Sequence, residues 1–421
     1  MIVMGGIVGS GIFINPYVVA QHVRSAALIL GVWLAGGIMA MLGAFIWAEL
    51  ATRLPGAGGQ YLYLREAYHP SVAFLYGWVL LLVTQTGGMA AVAVTFARYF
   101  REITGVSASD GAIAASALLG LTAINCLGVR AGSNVQSALM LTKAAAIAML
   151  VVAGLLLGGH HVSAPGTTAA MPHGFGLVTS LGAAMIPVAF AYGGWQTASF
   201  VAAEMRHPGR DLSRGLVLGV SGVVLLYLSV NFVCVRVLGP AALAATPTPA
   251  SAVMRAALGE RGGQWIAIGI AVSTLGFLSQ GILTAPRIYY AMACDGLFFE
   301  RVGRLSRRTG APVTAIVVQG FAATAIALLG RYEQILNYVT SIDFISFGMT
   351  SAAVFILRRH KVERAGQPVY RVPGHPFTTG LFVLAAAGIV AATFYSYPQN
   401  SVIGLGILAA GVPVYLYWSR R

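Results

Sequence analysis

Three features of the 421-residue sequence predict an all-α membrane protein with twelve transmembrane helices. Charged residues make up only 9% of the chain, against about 25% in an ordinary soluble domain. Hydrophobic residues reach 57% and the mean hydropathy is +0.79, so water is not the main solvent of the folded chain. Apolar runs long enough to cross a bilayer, which needs about 20 residues per helix, recur from one end of the chain to the other.

Those runs are Met1 to Gln21, Ala26 to Ala51, Ser71 to Tyr99, Gly111 to Leu127, Ser133 to Gly158, Phe175 to Ala203, Gly215 to Leu238, Gly262 to Met292, Ala311 to Leu329, Ile335 to Leu357, Phe377 to Tyr395 and Val402 to Trp418. The connections between them leave no room for a soluble domain, so residues 1–421 read as one transmembrane domain. The net charge of +14 would suggest nucleic acid in a soluble protein. Here the basic residues fall in short loops between apolar runs rather than on one face, so no nucleic-acid partner is expected.

Their distribution sets the orientation instead. With the first helix entering from the cytoplasm, one side collects most of the arginines, including Arg53, Arg65, Arg130, Arg206, Arg210, Arg214, Arg301, Arg304, Arg358 and Arg359. The other side has only Arg24, Arg98, Arg101, Arg236, Arg255, Arg261 and Arg331. The positive-inside rule then places both termini in the cytoplasm of a cell bounded by an inner membrane. Met1 starts inside apolar sequence without the basic lead-in and cleavage site of a signal peptide, which suggests that a short cytoplasmic preface is missing. Cys126, Cys234 and Cys294 lie far apart with no metal-ligand spacing and read as small apolar packing residues; no metal or cofactor is expected.

Two runs are interrupted. The first carries Gly5-Gly6-Ile7-Val8-Gly9-Ser10-Gly11-Ile12-Phe13, and the sixth carries Pro187 followed by Phe190-Ala191-Tyr192-Gly193-Gly194-Trp195. Each glycine inside a helix costs about 1 kcal/mol against alanine, so such clusters mark unwinding or close packing. Runs one and six hold the same place in successive five-helix units. Since five is odd, the second unit lies inverted, giving a 5+5 repeat (about 1–158 and 175–357) with two appended helices (about 377–418). Paired interruptions in inverted repeats point to a secondary-transporter site at the bilayer midplane. Unwound backbone is tolerable there only where it is buried or lines a cavity. Half-helix amino ends attract an anion and half-helix carboxyl ends a cation, which a zwitterion satisfies together. The competing reading is that Gly5-Gly6 and Gly193-Gly194 merely permit close helix contact.

Gly9-Ser10-Gly11-Ile12-Phe13, Pro55-Gly56-Ala57-Gly58-Gly59-Gln60-Tyr61 and Phe190-Ala191-Tyr192-Gly193-Gly194-Trp195 together resemble the amino acid–polyamine–organocation superfamily. Glu204-Met205-Arg206-His207-Pro208-Gly209-Arg210-Asp211-Leu212, Pro286-Arg287-Ile288-Tyr289-Tyr290-Ala291-Met292 and Tyr370-Arg371-Val372-Pro373-Gly374 narrow the resemblance to the L-type amino acid transporter branch and its bacterial relatives. The resemblance spans the whole chain and implies the LeuT-like fold with broken helices one and six. It implies a substrate carboxylate at the backbone N–H groups and hydroxyl around Gly9, Ser10 and Gly11. The ammonium would meet the carbonyls of Ile7, Phe190 and Gly193, along the unwound stretch that also holds Ala191 and Tyr192, with Phe190 as an aromatic gate. Glycine at position 11 is expected to let the carboxylate approach the backbone. Asp211 and Ser213 depart from the family, where Asn and Pro are common. The loop from Arg101 to Gly111 lacks the cysteine by which animal members link a heavy chain, so no disulfide partner is expected.

Lys143 lies ten residues into the fifth run, about 15 Å deep at 1.5 Å per residue, in the middle of a core about 30 Å thick. A charge there is functional by default. In the resembling family this lysine takes the place of a bound sodium ion, touching the unwound helix one and a hydroxyl on helix eight, for which Ser273 and Thr274 are the candidates. Asp343, midway along run ten, is read as facing a different side of the site and is left unpaired with Lys143; a structural role, accepting bonds from nearby hydroxyls or an amide, and a proton-handling role both stay open. Gln85, Phe277, Ser279 and Asp343 are expected to line the pocket. Glu49 and Glu204, near cytoplasmic helix ends beside Arg53 and Arg206, read either as gate or scaffold ion pairs or as plain solvated charges. The expectation is sodium-independent transport of a neutral L-amino acid, as exchanger or proton-linked permease, with a cationic amino acid or polyamine as the alternative.

Other classes are weaker. Gly219-Val220-Ser221-Gly222 has the look of an intramembrane serine protease, but a nucleophile needs a base, and all eight histidines lie in loops or at helix edges. A channel would show a carbonyl filter or a repeated charge ring, and neither is visible. An amino acid sensor would usually add a signalling domain.

Overall fold

The architecture follows from how each apolar run ends or breaks. The computed structural model describes residues 2–56, 58–127, 129–159, 174–200, 208–306, 310–329, 332–362 and 369–419. The first run is two helices, α1 (Ile2–Ile7) and α2 (Gly11–His22), separated by residues 8–10. Then come α3 (Ala26–Arg53), a short α4 (Gln60–Ala67), and a third run made of α5 (Pro70–Val79), a π-helical turn (Leu80–Thr84) and α6 (Gln85–Thr104). The chain continues through α7 (Asp110–Cys126), α8 (Val129–Leu156), α9 (Phe175–Tyr192) and the one-turn α10 (Thr197–Phe200). The last elements are α11 (Pro208–Ala245), α12 (Pro249–Thr284), α13 (Pro286–Cys294), α14 (Val313–Leu329), α15 (Tyr332–Arg359), α16 (Phe377–Ser396) and α17 (Pro398–Trp418). Among the described residues, eight helical stretches are long and apolar enough to cross a membrane. The shorter apolar stretches of α7, α8 and α14 and the interrupted first run make up the twelve that the sequence predicts.

Some boundaries differ from expectation, each for a local reason. The seventh run continues past Leu238, but Gly239 takes φ 72° and turns the chain there. The eighth begins thirteen residues early at Pro249 and turns at Gly259, also at φ 72°, a conformation glycine adopts without the Cβ penalty. Its far end is divided by Pro286, which opens α13 as a first-turn proline. Helix α4 lies in what the sequence reads only as a connection. The π-helical turn has a visible cause: the Thr86 hydroxyl donates to the Leu81 carbonyl, five residues back, at 2.7 Å.

Helix α11 packs along α3, α12 lies between α6 and α8, α2 rests on α9, and α16 covers α15. Two aromatic clusters lock these contacts. Trp33, Tyr192 and Tyr227 meet with ring centroids 5.0 to 5.8 Å apart. Trp47 meets Trp195, Phe347 and Phe382 edge-on. The cysteine reading holds for the buried Cys234 and the half-buried Cys126, but Cys294 is exposed at the end of α13.

Glu49, fully buried, does more than pair with Arg53 at 2.7 Å. It also accepts from Arg358 Nε and Nη2 at 2.8 and 2.6 Å and from the Val372 backbone N–H at 2.7 Å. Next to it the Thr52 hydroxyl accepts from the Tyr370 N–H at 3.0 Å. One carboxylate therefore ties the end of α3 to the end of α15 and to the segment before α16. Removing it strands buried Arg53 and half-buried Arg358, and breaking such a pair typically costs about 3–5 kcal/mol. Glu49→Ala is expected to lower the thermal midpoint of the detergent-purified protein, whereas an unchanged midpoint would show that the arginines find other partners. Glu204 and Arg206 lie outside the described residues.

Candidate substrate-binding site

The two interruptions meet face to face. Helix α1 ends at Ile7 and α2 begins at Gly11; α9 ends at Tyr192 and α10 begins at Thr197. Between them the backbones touch through glycine. A Cβ on Gly6 would lie 2.8 Å from the Gly194 carbonyl oxygen, and one on Gly194 would lie 2.0 Å from the Gly6 oxygen. Gly194 also takes φ +112°. Unwinding and close helix contact, set against each other in the sequence reading, occur together.

Around this junction lies a cavity of about 70 Å³. From the breaks it takes Gly6, Ile7, Gly9, Ser10, Gly11, Phe190, Ala191, Gly193, Gly194, Gln196 and Thr197. Its far wall comes from Thr84, Gln85, Gly88 and Met89 of the third run, Phe277, Gln280, Gly281 and Thr284 of α12, and Val339, Thr340, Asp343, Phe344 and Phe347 of α15. Among the described residues, no lysine, arginine or histidine lines it.

The end groups suit a zwitterion. The Ser10 hydroxyl is buried without a hydrogen-bond partner at the amino end of α2, where the first N–H groups have no intrahelical acceptor and the helix dipole is positive. Opposite it, the carboxyl end of α9 supplies carbonyls. Several carbonyls are already engaged: Ile7 accepts from the Tyr227 hydroxyl at 3.1 Å, and Phe190 accepts from the Gly193 N–H at 3.1 Å. A carbonyl has two lone pairs, so each can accept once more.

Some expected residues stand elsewhere. Tyr192 does not line the cavity; its ring packs on Tyr227 and Trp33 behind the break. Ser279 also points away, because Phe277, Gln280, Gly281 and Thr284 form the cavity face of α12, and its hydroxyl accepts from Asn125 Nδ2 at 3.5 Å. Gly11 does line the cavity, but a Cβ there would meet protein, Ala191 Cα at 2.6 Å. Ser221 donates to Val217 of its own helix at 2.8 Å, as a packing residue does.

Lys143, buried in α8, donates from Nζ to the Val8 carbonyl, inside the first break. The hydroxyls expected to share it do not. Thr274 donates to Ala271 at 2.8 Å, and the buried Ser273 hydroxyl has no partner. The lysine therefore braces the unwound segment from behind rather than from within the cavity.

Residues the sequence reading passed over complete the junction. The Tyr227 hydroxyl lies between the carbonyls of Ile7 and Ala191, at 3.1 and 3.3 Å, and so links both breaks from α11. Asn15 Nδ2 donates to the Pro187 carbonyl at 2.6 Å, fixing α2 on α9. Gln196 Oε1 accepts from the Gly194 N–H at 2.9 Å, and the Thr197 hydroxyl donates to the Gly194 carbonyl at 2.8 Å. A polar residue in an apolar run is the only sequence signal for Tyr227 or Asn15, and it does not say what they touch.

The amino acid permease family model matches residues 1–417. The chain belongs to that family. The membership carries the LeuT-like fold and makes the protein a multi-pass membrane transporter rather than an enzyme. The chain is 29% identical to the serine/threonine exchanger SteT of Bacillus subtilis over 426 residues, covering 100% of this chain and 95% of that protein. It is 30% identical to the mouse b(0,+)-type amino acid transporter 1 over 402 residues, covering 91% and 80%. It is 28% identical to the mouse large neutral amino acids transporter small subunit 2 over 431 residues, covering 100% and 80%.

Proposed function

We propose that this amino acid permease moves neutral L-amino acids across the cytoplasmic membrane by sodium-independent alternating access, as an exchanger or proton-linked permease. The observation that carries the reading is the cavity itself: both helix breaks present it with backbone groups for a carboxylate and an ammonium, while among the described residues no basic side chain lines it to attract an acidic substrate. The Ser10 hydroxyl and α2 amino end take the carboxylate, and the carbonyls of Ile7, Phe190 and Gly193 take the ammonium. Two of the relatives named above, a serine/threonine exchanger and a large neutral amino acid transporter, support a neutral side chain. The arginine distribution supports cytoplasmic termini, and the absence of cysteine between Arg101 and Gly111 supports a chain without a disulfide-linked heavy chain.

A second reading, a cationic amino acid or polyamine carrier, is favoured by Asp343, the one carboxylate lining the cavity among the described residues. Uptake competition in proteoliposomes separates the two. Alanine, serine, threonine and leucine are expected to compete at least about tenfold better than glutamate or aspartate, which would bring an unpaired carboxylate into a site without a base. Lysine or ornithine competing best would establish the second reading, and glutamate competing best would overturn both.

A further inference from the structure

Asp343 stands apart from the machinery that handles the zwitterionic end of a substrate. It lies midway along α15, between the buried Ile342 and Phe344, and is itself only partly buried because its side chain faces the cavity. Lys143, on α8, is already committed to the first break, since it donates to the Val8 carbonyl, and it does not line the cavity. Among the described residues, the groups around the carboxylate are neutral. Thr84, from the π-helical turn, lies against it, the buried Tyr76 hydroxyl lies behind it, and Phe344 and Phe347 form the apolar flank of the same wall.

A carboxylate has about four acceptor positions and no donor. At membrane depth it is costly unless donors reach it, and neighbouring hydroxyls cannot supply all of them. A donor on whatever enters the cavity can fill one of those positions. The substrate's own ammonium and carboxylate are held at the helix breaks, so the part that reaches α15 is its side chain.

Building on the neutral amino acid reading, we propose that Asp343 is a specificity-determining residue that accepts a hydrogen bond from a hydroxyl or amide on the substrate side chain, so that the permease prefers donor-bearing neutral amino acids over their apolar isosteres. The π-helical turn serves this subsite by bringing Thr84 and Gln85 to the same wall. An aliphatic side chain of equal size leaves the carboxylate dry and unpaired, and sites built to bond a substrate hydroxyl reject the analogue lacking it. An acidic side chain adds like-charge repulsion.

Threonine and valine are nearly isosteric and make the test. Competition against labelled alanine is measured in proteoliposomes for threonine, valine, asparagine and aspartate, with wild type, Asp343→Asn and Asp343→Leu. In the wild type, threonine is expected to compete at a concentration about tenfold or more below valine, the effect of one hydrogen bond to a charged group. Asp343→Leu is expected to bring that ratio to unity or invert it. Asp343→Asn, which keeps an acceptor but not the charge, should retain part of the threonine preference and narrow the gap between asparagine and aspartate. Equal competition by threonine and valine in the wild type overturns the subsite, and so does an unchanged ratio in Asp343→Asn and Asp343→Leu. If Asp343→Leu does not fold, the wild-type ratio and the asparagine variant decide. Failure of every neutral amino acid to compete would instead overturn the transport reading on which the subsite rests.

Discussion

Lys143→Ala is expected to slow uptake of a neutral amino acid at least about tenfold, while wild-type uptake stays the same when sodium is replaced by choline. The ammonium sits behind the first helix break and donates to the Val8 carbonyl, one of the groups set free where α1 stops and α2 has not begun. Truncation leaves that carbonyl buried without its donor, which costs about 1–3 kcal/mol, and removes the brace that holds residues 8–10 in their unwound form. The same position is the reason sodium-independent uptake is expected. A sodium ion within about 4 Å of a fixed ammonium would be repelled by about 4 kcal/mol at an effective dielectric of about 20, so the site that holds the lysine has no use for the ion. Uptake into proteoliposomes, with both proteins first shown to be monodisperse, makes the comparison. Strict sodium dependence in the wild type, or a fully active alanine variant, would show that Lys143 is not the resident cation.

What the sequence made legible was whatever depends on composition along the chain. Twelve apolar runs, two glycine clusters, and a lysine and an aspartate inside apolar runs are all one-dimensional features; the structure brings the two glycine clusters together, sets Lys143 against the first break and places Asp343 on the cavity wall. What it hid depends on which face of a helix points inward. Run eight shows the limit: Phe277 and Ser279 are two residues apart, yet one lines the cavity and the other turns toward Asn125 of α7. A buried run that is apolar all round carries no periodicity from which to choose between them. Ser273 and Thr274 were placed on the right helix for Lys143, but their hydroxyls go unpartnered or to their own backbone. Glycine raised the opposite difficulty. Gly11 was read as space for a ligand, and the space belongs to Ala191; the sequence shows that a side chain is missing but not what occupies its place.

Gly194→Ala is expected to abolish transport, whereas Gly193→Ala, one residue earlier, should cause a far smaller loss. The contrast follows from backbone geometry. Gly193 has φ −60° and ψ 158°, open to any residue, and a Cβ there would meet the Phe190 oxygen at 3.2 Å, close enough to need a small adjustment. Gly194 has φ +112°, and its Cβ would fall 2.0 Å from the Gly6 oxygen and 2.7 Å from the Gly6 carbonyl carbon. Alanine there pays about 1–3 kcal/mol for the backbone conformation alone. The clash is with main chain on the other broken helix, which has no rotamer to change. Relief requires the two breaks to separate. That separation would widen the gap that Tyr227 spans between Ile7 and Ala191. The carboxylate and ammonium positions would then no longer face one another across one cavity. The measurement is substrate binding to purified protein, read as thermal stabilisation by a saturating neutral amino acid, alongside uptake. Loss of both in Gly194→Ala with a monodisperse protein is the expected result, and equal activity of the two alanine variants would show that the junction between the breaks is not what shapes the site.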